Sequence, residues 1–359
     1  MATTAVSAVR TQRRWAWDVL RVLSVVGVVA IHVFAAGVVH GEHRGSLRWW
    51  FAVAMDVGFV WVVPLFVMLS GALILAPGQH AQGTAAFYRR RLLRLAPAFM
   101  FWQVFYLFAV RPLTGGSFPT PVQSATAVLD GRTYTHLYFL WLIVGLYAVA
   151  PVLASYLHSG GPRRAFCFAG LTLAATASVW TASSLIGLTG SPRPLTLLAF
   201  TQWLPYVGFF LAGWALRGVR LGRGAAWACA GVAVALVALI VWQYGTAGAH
   251  PLLDAVFPVA YPGWAVALAT LCVFVAGTSL WDGWDPRPAV ARALRRLSDA
   301  AFGVFLVHFA VMLGVRRIPL FAADPTAPLT LTLIWLVTVV LSFGITLMLQ
   351  RIPGVRRVV

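Results

Sequence analysis

The stretch VLSVVGVVAIHVFAAGVV, residues 22–39, contains a single ionisable side chain, His32. With Trp17–Arg21 ahead of it, the run is long enough to cross a hydrocarbon core of roughly 30 Å as one helix. Nine further stretches read the same way. They lie near 50–75, 95–110, 137–157, 165–187, 200–217, 225–244, 262–281, 298–315 and 329–350, and with 17–39 they make ten expected membrane spans. Of the 359 residues 60% are hydrophobic and 10% charged, where a soluble domain carries about 25% charged residues. Too few charges remain to cover a water-facing surface, so the expected solvent is a lipid bilayer. The fold class that follows is all-α: a polytopic membrane helix bundle of about ten transmembrane helices, with both termini cytoplasmic.

All 27 basic residues are arginine, and the formal net charge is +18. Such a charge can mark a nucleic-acid binder, so its distribution decides. With the N-terminus inside, the cytoplasmic segments hold twenty arginines, beginning with Arg10, Arg13, Arg14 and Arg21 and continuing with Arg89, Arg90, Arg91 and Arg94. Seven are left outside: Arg44, Arg48, Arg111, Arg132, Arg193, Arg316 and Arg317. This is the positive-inside bias of a membrane protein, and no nucleic-acid partner is expected. Cys167, Cys229 and Cys272 each fall within a span, lack CxxC spacing and are odd in number, so they suggest neither disulfides nor a metal site. Residues 10–34 resemble a signal peptide, but the apolar part is too long for one, and they read as a retained first span. The longest loop, 111–136, is too short for a separate domain. Residues 1–359 therefore read as a single membrane domain with short basic ends at 1–14 and 351–359.

Arg21 and His32 are eleven residues apart, which in a helix puts them about 20° from one face and about 16 Å apart along the axis. Arg21 falls at the cytoplasmic edge and His32 near mid-membrane. Asp18, three residues before Arg21, can pair with it. Arg21 reads either as a snorkelling anchor or as a ligand-holding group. His32 reads either as a neutral imidazole satisfied by a neighbouring helix or as a functional group. Ionisable residues at this depth are functional by default, and an imidazole suits proton transfer near neutral pH. His308, in SDAAFGVFLVHF (298–309), is expected at a similar depth, with Ser298 and Asp299 as N-cap chemistry for the ninth span. The other histidines, His136 among them, fall in loops or at span ends and read as solvated.

In FYRRRLLRLAP (87–97), Arg90, Arg91 and Arg94 can share one side of a short helix, with Pro97 kinking or restarting the chain at the bilayer. Such a cluster serves topology or anionic lipid; it also suits a phosphate clamp, because guanidinium groups grip phosphate oxygens bidentately. Ser70 and Gly71 in FVMLSGALIL (66–75) read first as small residues for close helix packing. Asp56 is a weaker polar candidate that can pair with an outer arginine.

Taken together, WDVLRVLSVVGVVAIH, FVMLSGALIL, FYRRRLLRLAP, HLYFLWLIVGLYAVAP (136–151), YVGFFLAGWALR (206–217) and FGVFLVHF (302–309) resemble the integral-membrane acyltransferase-3 family, in particular its surface-polysaccharide O-acyltransferases. The resemblance implies an enzyme of the bacterial cell membrane. It would take an acyl group, commonly acetyl, from cytoplasmic acyl-coenzyme A and pass it to a hydroxyl of a carbohydrate or glycosylated acceptor. No metal is implied. Carried over, His32 is the catalytic histidine, acting as general base or as acyl relay, with Arg21 and Asp18 its motif partners. Arg89, Arg90, Arg91 and Arg94 match the family's cytoplasmic arginine motif, and Ser70 and His308 stand near the expected thioester. Where the family often reads Asp-Gly-Leu-Arg, this chain has Asp18-Val19-Leu20-Arg21, which keeps the charged pair but adds a side chain. The rival reading is a transporter or flippase for a carbohydrate-lipid, in which the histidines line a path and no bond is made.

Overall fold

The computed structural model describes residues 13–114 and 117–359, so Arg10 lies outside the described residues. The described chain is a helical bundle without strands. Its principal helices are α1 (Trp15–Val39), α2 (Leu47–Asp56), α3 (Val62–Ile74), α4 (Gly83–Phe105), α5 (Tyr138–His158) and α6 (Gly161–Gly187), followed by α7 (Val207–Leu216), α8 (Arg223–Gly245), α9 (Trp264–Leu280), α10 (Pro288–Arg316) and α11 (Pro328–Leu349). Eight helical stretches, with α2 and α3 taken as one, are long and apolar enough to cross a membrane. Two more apolar segments, α7 and α9, are shorter and stand where the sixth and eighth spans were expected.

Helix α1 is the hub. It packs against α2, α3, α10 and α11, while α3 packs against α7, α4 against α5, and α8 against α9. Fully apolar helices such as α8 leave most of their surface outward, as lipid permits, and the dense core gathers around α1, α3, α7 and α10.

Four local departures from the sequence reading have identifiable causes. The expected span 50–75 is broken between Asp56 and Val62 by a 3₁₀ turn. Pro64, which has no amide N–H to give Val60, lies in the first turn of α3, where none is required. The expected span 200–217 reduces to α7 with two 3₁₀ turns ahead of it, Ala199–Thr201 and Leu204–Tyr206, the second carrying Pro205. Pro97 neither ends nor restarts a helix: α4 runs through it unbroken, as apolar surroundings allow when neighbouring groups satisfy the freed backbone. Finally, Ser298 and Asp299 are not a cap, because α10 begins ten residues earlier with Pro288 at its first position.

The two quoted motifs FVMLSGALIL and YVGFFLAGWALR meet each other. A methyl group on Gly71 would overlap the Phe210 carbonyl, and one on Gly213 would overlap the Met68 carbonyl, so α3 and α7 touch backbone to backbone through a glycine from each side. Gly71→Ala is therefore expected to force the pair apart at a cost of about 1–3 kcal/mol. A lowered unfolding temperature in detergent checks it; an unchanged one means the two helices are not in such contact. Beyond Gly71, the His80 and His158 rings donate through Nε2 to the carbonyls of Ile74 (2.9 Å) and Leu75 (2.8 Å). They satisfy acceptors left open at the C-terminal end of α3, and this end of α3 faces α4 and the arginine cluster.

Candidate active site

Three imidazoles meet between α1, α10 and the turn before α5. The His32 and His308 rings stack with centroids 5.4 Å apart, His136 lies 5.0 Å from His308 and 6.3 Å from His32, and Phe309 touches both His32 (5.0 Å) and His136 (5.4 Å). His308 and His136 are buried, at 0% and 1% exposure. His32 is only half-buried and keeps accessible surface. The His308 Nδ1 lies 2.7 Å from the Phe305 carbonyl oxygen. A carbonyl only accepts, so Nδ1 carries the proton and Nε2, buried without a partner among the described residues, presents a lone pair to the cluster.

His136 corrects the expectation of a solvated loop histidine. It sits in the turn ahead of α5, and Tyr106, Tyr134, Phe305 and Phe309 wall it in. Both its ring nitrogens lack partners among the described residues. Arg316, read from sequence as an outer topological charge, also belongs here. Its guanidinium donates to the carbonyls of His32 (3.3 Å) and Val33 (2.9 Å), bracing α10 against the turn of α1 that carries His32.

A second cluster lies toward the N-terminal end of α1. Arg21 donates to Ser298 Oγ at 3.0 Å and stands 4.0 Å from Asp18. The pairing expected between Asp18 and Arg21 is thus a distant one, because Arg13 takes both Asp18 oxygens at 2.7 Å. Those bonds hold the Arg13 guanidinium above its usual pKa. Arg13 also reaches Asp299 at 3.5 Å. Arg21 therefore shares Asp18 with Arg13 and keeps only a long ion pair to it. The Tyr147 phenol lies near Ser70, Arg91, Arg94 and Arg21. Arg91 lies 5.6 Å from the Tyr147 ring centroid and 5.5 Å from that of Phe87, within cation–π range. Its Nε is buried without a partner among the described residues. Arg91 also donates to Gln79, and Arg90 is tied to Gln79 and Gln82 in the preceding turn. Arg89 and Arg94 are exposed. Asp56 joins neither cluster; it forms no ion pair with an outer arginine among the described residues and lies near Tyr244 and Tyr261.

On the side of the 111–136 loop, a cleft of about 370 Å³ is lined by Gly131, Arg132, Tyr134, Thr135, Tyr138 and Gln202. Its Tyr134 packs on Phe309 (4.9 Å) and on Tyr106 (4.7 Å), so one layer of rings separates the cleft from the histidines.

Fold and site define a polytopic membrane protein with a histidine cluster part-way along its first helix and an arginine cluster nearer that helix's start. The chain belongs to the acyltransferase-3 family, whose model, an acyltransferase domain, matches residues 14–351. It is a multi-pass membrane acyltransferase. Neither a search of curated proteins nor one of solved structures finds a match to the chain.

Proposed function

We propose that the protein is an acyl-coenzyme A-dependent O-acyltransferase of a bacterial cell membrane, moving a short acyl group such as acetyl to a hydroxyl of a carbohydrate or glycosylated acceptor. The observation that carries this reading is the placement of half-buried guanidiniums, Arg21 on α1 and Arg91 on α4, with His32 about 16 Å beyond Arg21 along α1. The orphaned Arg91 Nε is a buried donor suited to a phosphate oxygen. A phosphate-rich donor held there from the cytoplasm would extend its thioester along α1 toward His32. The donor supplies the activated acyl group, and the protein supplies binding, orientation and proton transfer.

His32 removes the proton from the acceptor hydroxyl as oxygen attacks the acyl carbon, or carries the acyl group itself before passing it on. His308, with its Nε2 lone pair fixed by the backbone bond at Nδ1, is placed to orient the imidazole beside it. The cleft lined by Tyr134, Tyr138, Arg132 and Gln202 offers aromatic faces and hydrogen-bonding groups of the kind a hydroxyl-rich acceptor needs.

The test is whether purified protein in vesicles releases free coenzyme A from acetyl-coenzyme A and labels a glycosylated acceptor in membranes. Movement of a glycolipid across the vesicle with no consumption of the thioester would replace this reading with a transporter. The donor pocket makes a narrower prediction. Arg91→Gln should raise the KM for acyl-coenzyme A about tenfold, since a hydrogen bond to a charged group is worth about 1.5–3 kcal/mol, while the KM for acceptor stays put. An unaltered donor KM would return Arg91 to a role in topology or lipid binding.

A further inference from the structure

Tyr106 lies where α4 changes register. The helix Gly83–Phe105 passes into a π-helical segment, Tyr106–Val110, before continuing as Arg111–Leu113. π-turns widen a helix and re-aim its side chains, and they cluster at functional sites. This one sends a fully buried phenol against α10. The Tyr106 hydroxyl donates to the Leu306 carbonyl at 2.8 Å and accepts from the Ala310 N–H at 3.2 Å. Residues 306 and 310 are i and i+4, the two groups that a regular α-helix joins to each other. A side chain from a neighbouring helix thus clasps both backbone groups of one rung of α10, which runs as unbroken α-helix through this turn.

The bridged turn is the one that carries His308 and Phe309. Its direction governs the His308 stack on His32 and the Phe309 contacts to His32 and His136. The Tyr106 ring itself meets His136 edge-on at 4.8 Å. The hydroxyl's single proton is given to the Leu306 carbonyl, so it is not offered to the histidines.

We propose that Tyr106 is a positioning residue: its hydroxyl, bonded to the backbone of both Leu306 and Ala310, pins the α10 turn where it presents His308 to His32. The inference about turnover rests on the acyltransferase reading; the inference about geometry does not. Removing the hydroxyl by Tyr106→Phe keeps the ring packing and releases the turn from both contacts. Stability should therefore change little, while the unpinned turn shifts and carries His308 with it.

Two measurements test this. In a chain with Cys167, Cys229 and Cys272 replaced by alanine, His32→Cys and His308→Cys are introduced together and their oxidation to a disulfide is followed, with and without Tyr106→Phe. The phenylalanine variant should cross-link several-fold more slowly; an equal rate overturns the proposal, whatever reaction the protein catalyses. In the otherwise native chain, Tyr106→Phe should lower kcat about tenfold, within the range that small misplacements cost, with the donor KM unchanged. In a His308→Ala background the same change should cost little more, because the two act through one group. Independent, multiplying losses overturn the positioning role, and so does a Tyr106→Phe protein that fails to fold. If the wild type shows no acyl transfer while the cross-linking result holds, the function assigned above fails and the geometry stands.

Discussion

Replacing His32 with alanine should lower acyl transfer by at least ~10²-fold, the lower end of a general-base contribution, while the protein still inserts and folds. The expectation rests on placement. His32 is the one member of the histidine cluster that keeps accessible surface, so it is the member a substrate can touch. His308 and His136 are buried behind it. The side chain forms no hydrogen bond among the described residues that folding would lose; Arg316 holds the backbone carbonyl of His32, which alanine retains. One lost polar contact in a membrane bundle costs only about 0.6 kcal/mol on average in any case. On the proposed reading His308→Ala should be milder, because it would remove an orienting ring rather than the group proposed to meet the acceptor. Product would be quantified by mass spectrometry in membranes matched for protein content. Substantial transfer by His32→Ala beside a loss in His308→Ala would place the chemistry on α10 instead of α1.

The parts of this site that sequence revealed are those where an ionisable residue interrupts an apolar run. His32 and His308 are conspicuous because every neighbour is greasy, and Arg21 because its spacing from His32 fits three helical turns. The motif glycines were legible only as small residues; that Gly71 and Gly213 face each other's backbones is a tertiary fact. His136 was missed because a histidine beside Tyr134 and Thr135, just ahead of an apolar run, has the local composition of a loop. Its burial comes from α4 and α10, which are distant in the chain. Arg316 was missed for the converse reason. Charge counting assigns an arginine at a span end to the water, whereas this one folds back onto carbonyls in α1. The Asp18–Arg21 pair was a sound local expectation, and Arg13 outcompetes it by reaching both carboxylate oxygens. Tyr106 offered no signal at all, since nothing in a single sequence marks where a helix will take a π-turn.

That displacement of Arg21 from Asp18 makes Arg21 itself the residue with the other large expected effect. Arg21→Lys should cost about 10–150-fold in kcat/KM for the donor, the equivalent of roughly 1.5–3 kcal/mol for hydrogen bonds to a charged group. A topological anchor would not behave so, because lysine carries the same charge and snorkels as well. What lysine lacks is the planar fork, which can hold Ser298 with one N–H and present others to a ligand oxygen in a fixed plane. Asp18 would remain satisfied by Arg13 in the variant, so no carboxylate is left stranded and folding should be preserved. Ser298→Ala separates the two uses of the guanidinium: it frees Arg21 from its only side-chain hydrogen-bond acceptor among the described residues but leaves the fork, and it should cost far less than Arg21→Lys. Both variants would be assayed for donor kinetics at equal expression. Near-normal turnover in Arg21→Lys would reduce Arg21 to an orientation signal, and would leave Arg91 and Arg94 as the groups that hold the donor beneath His32.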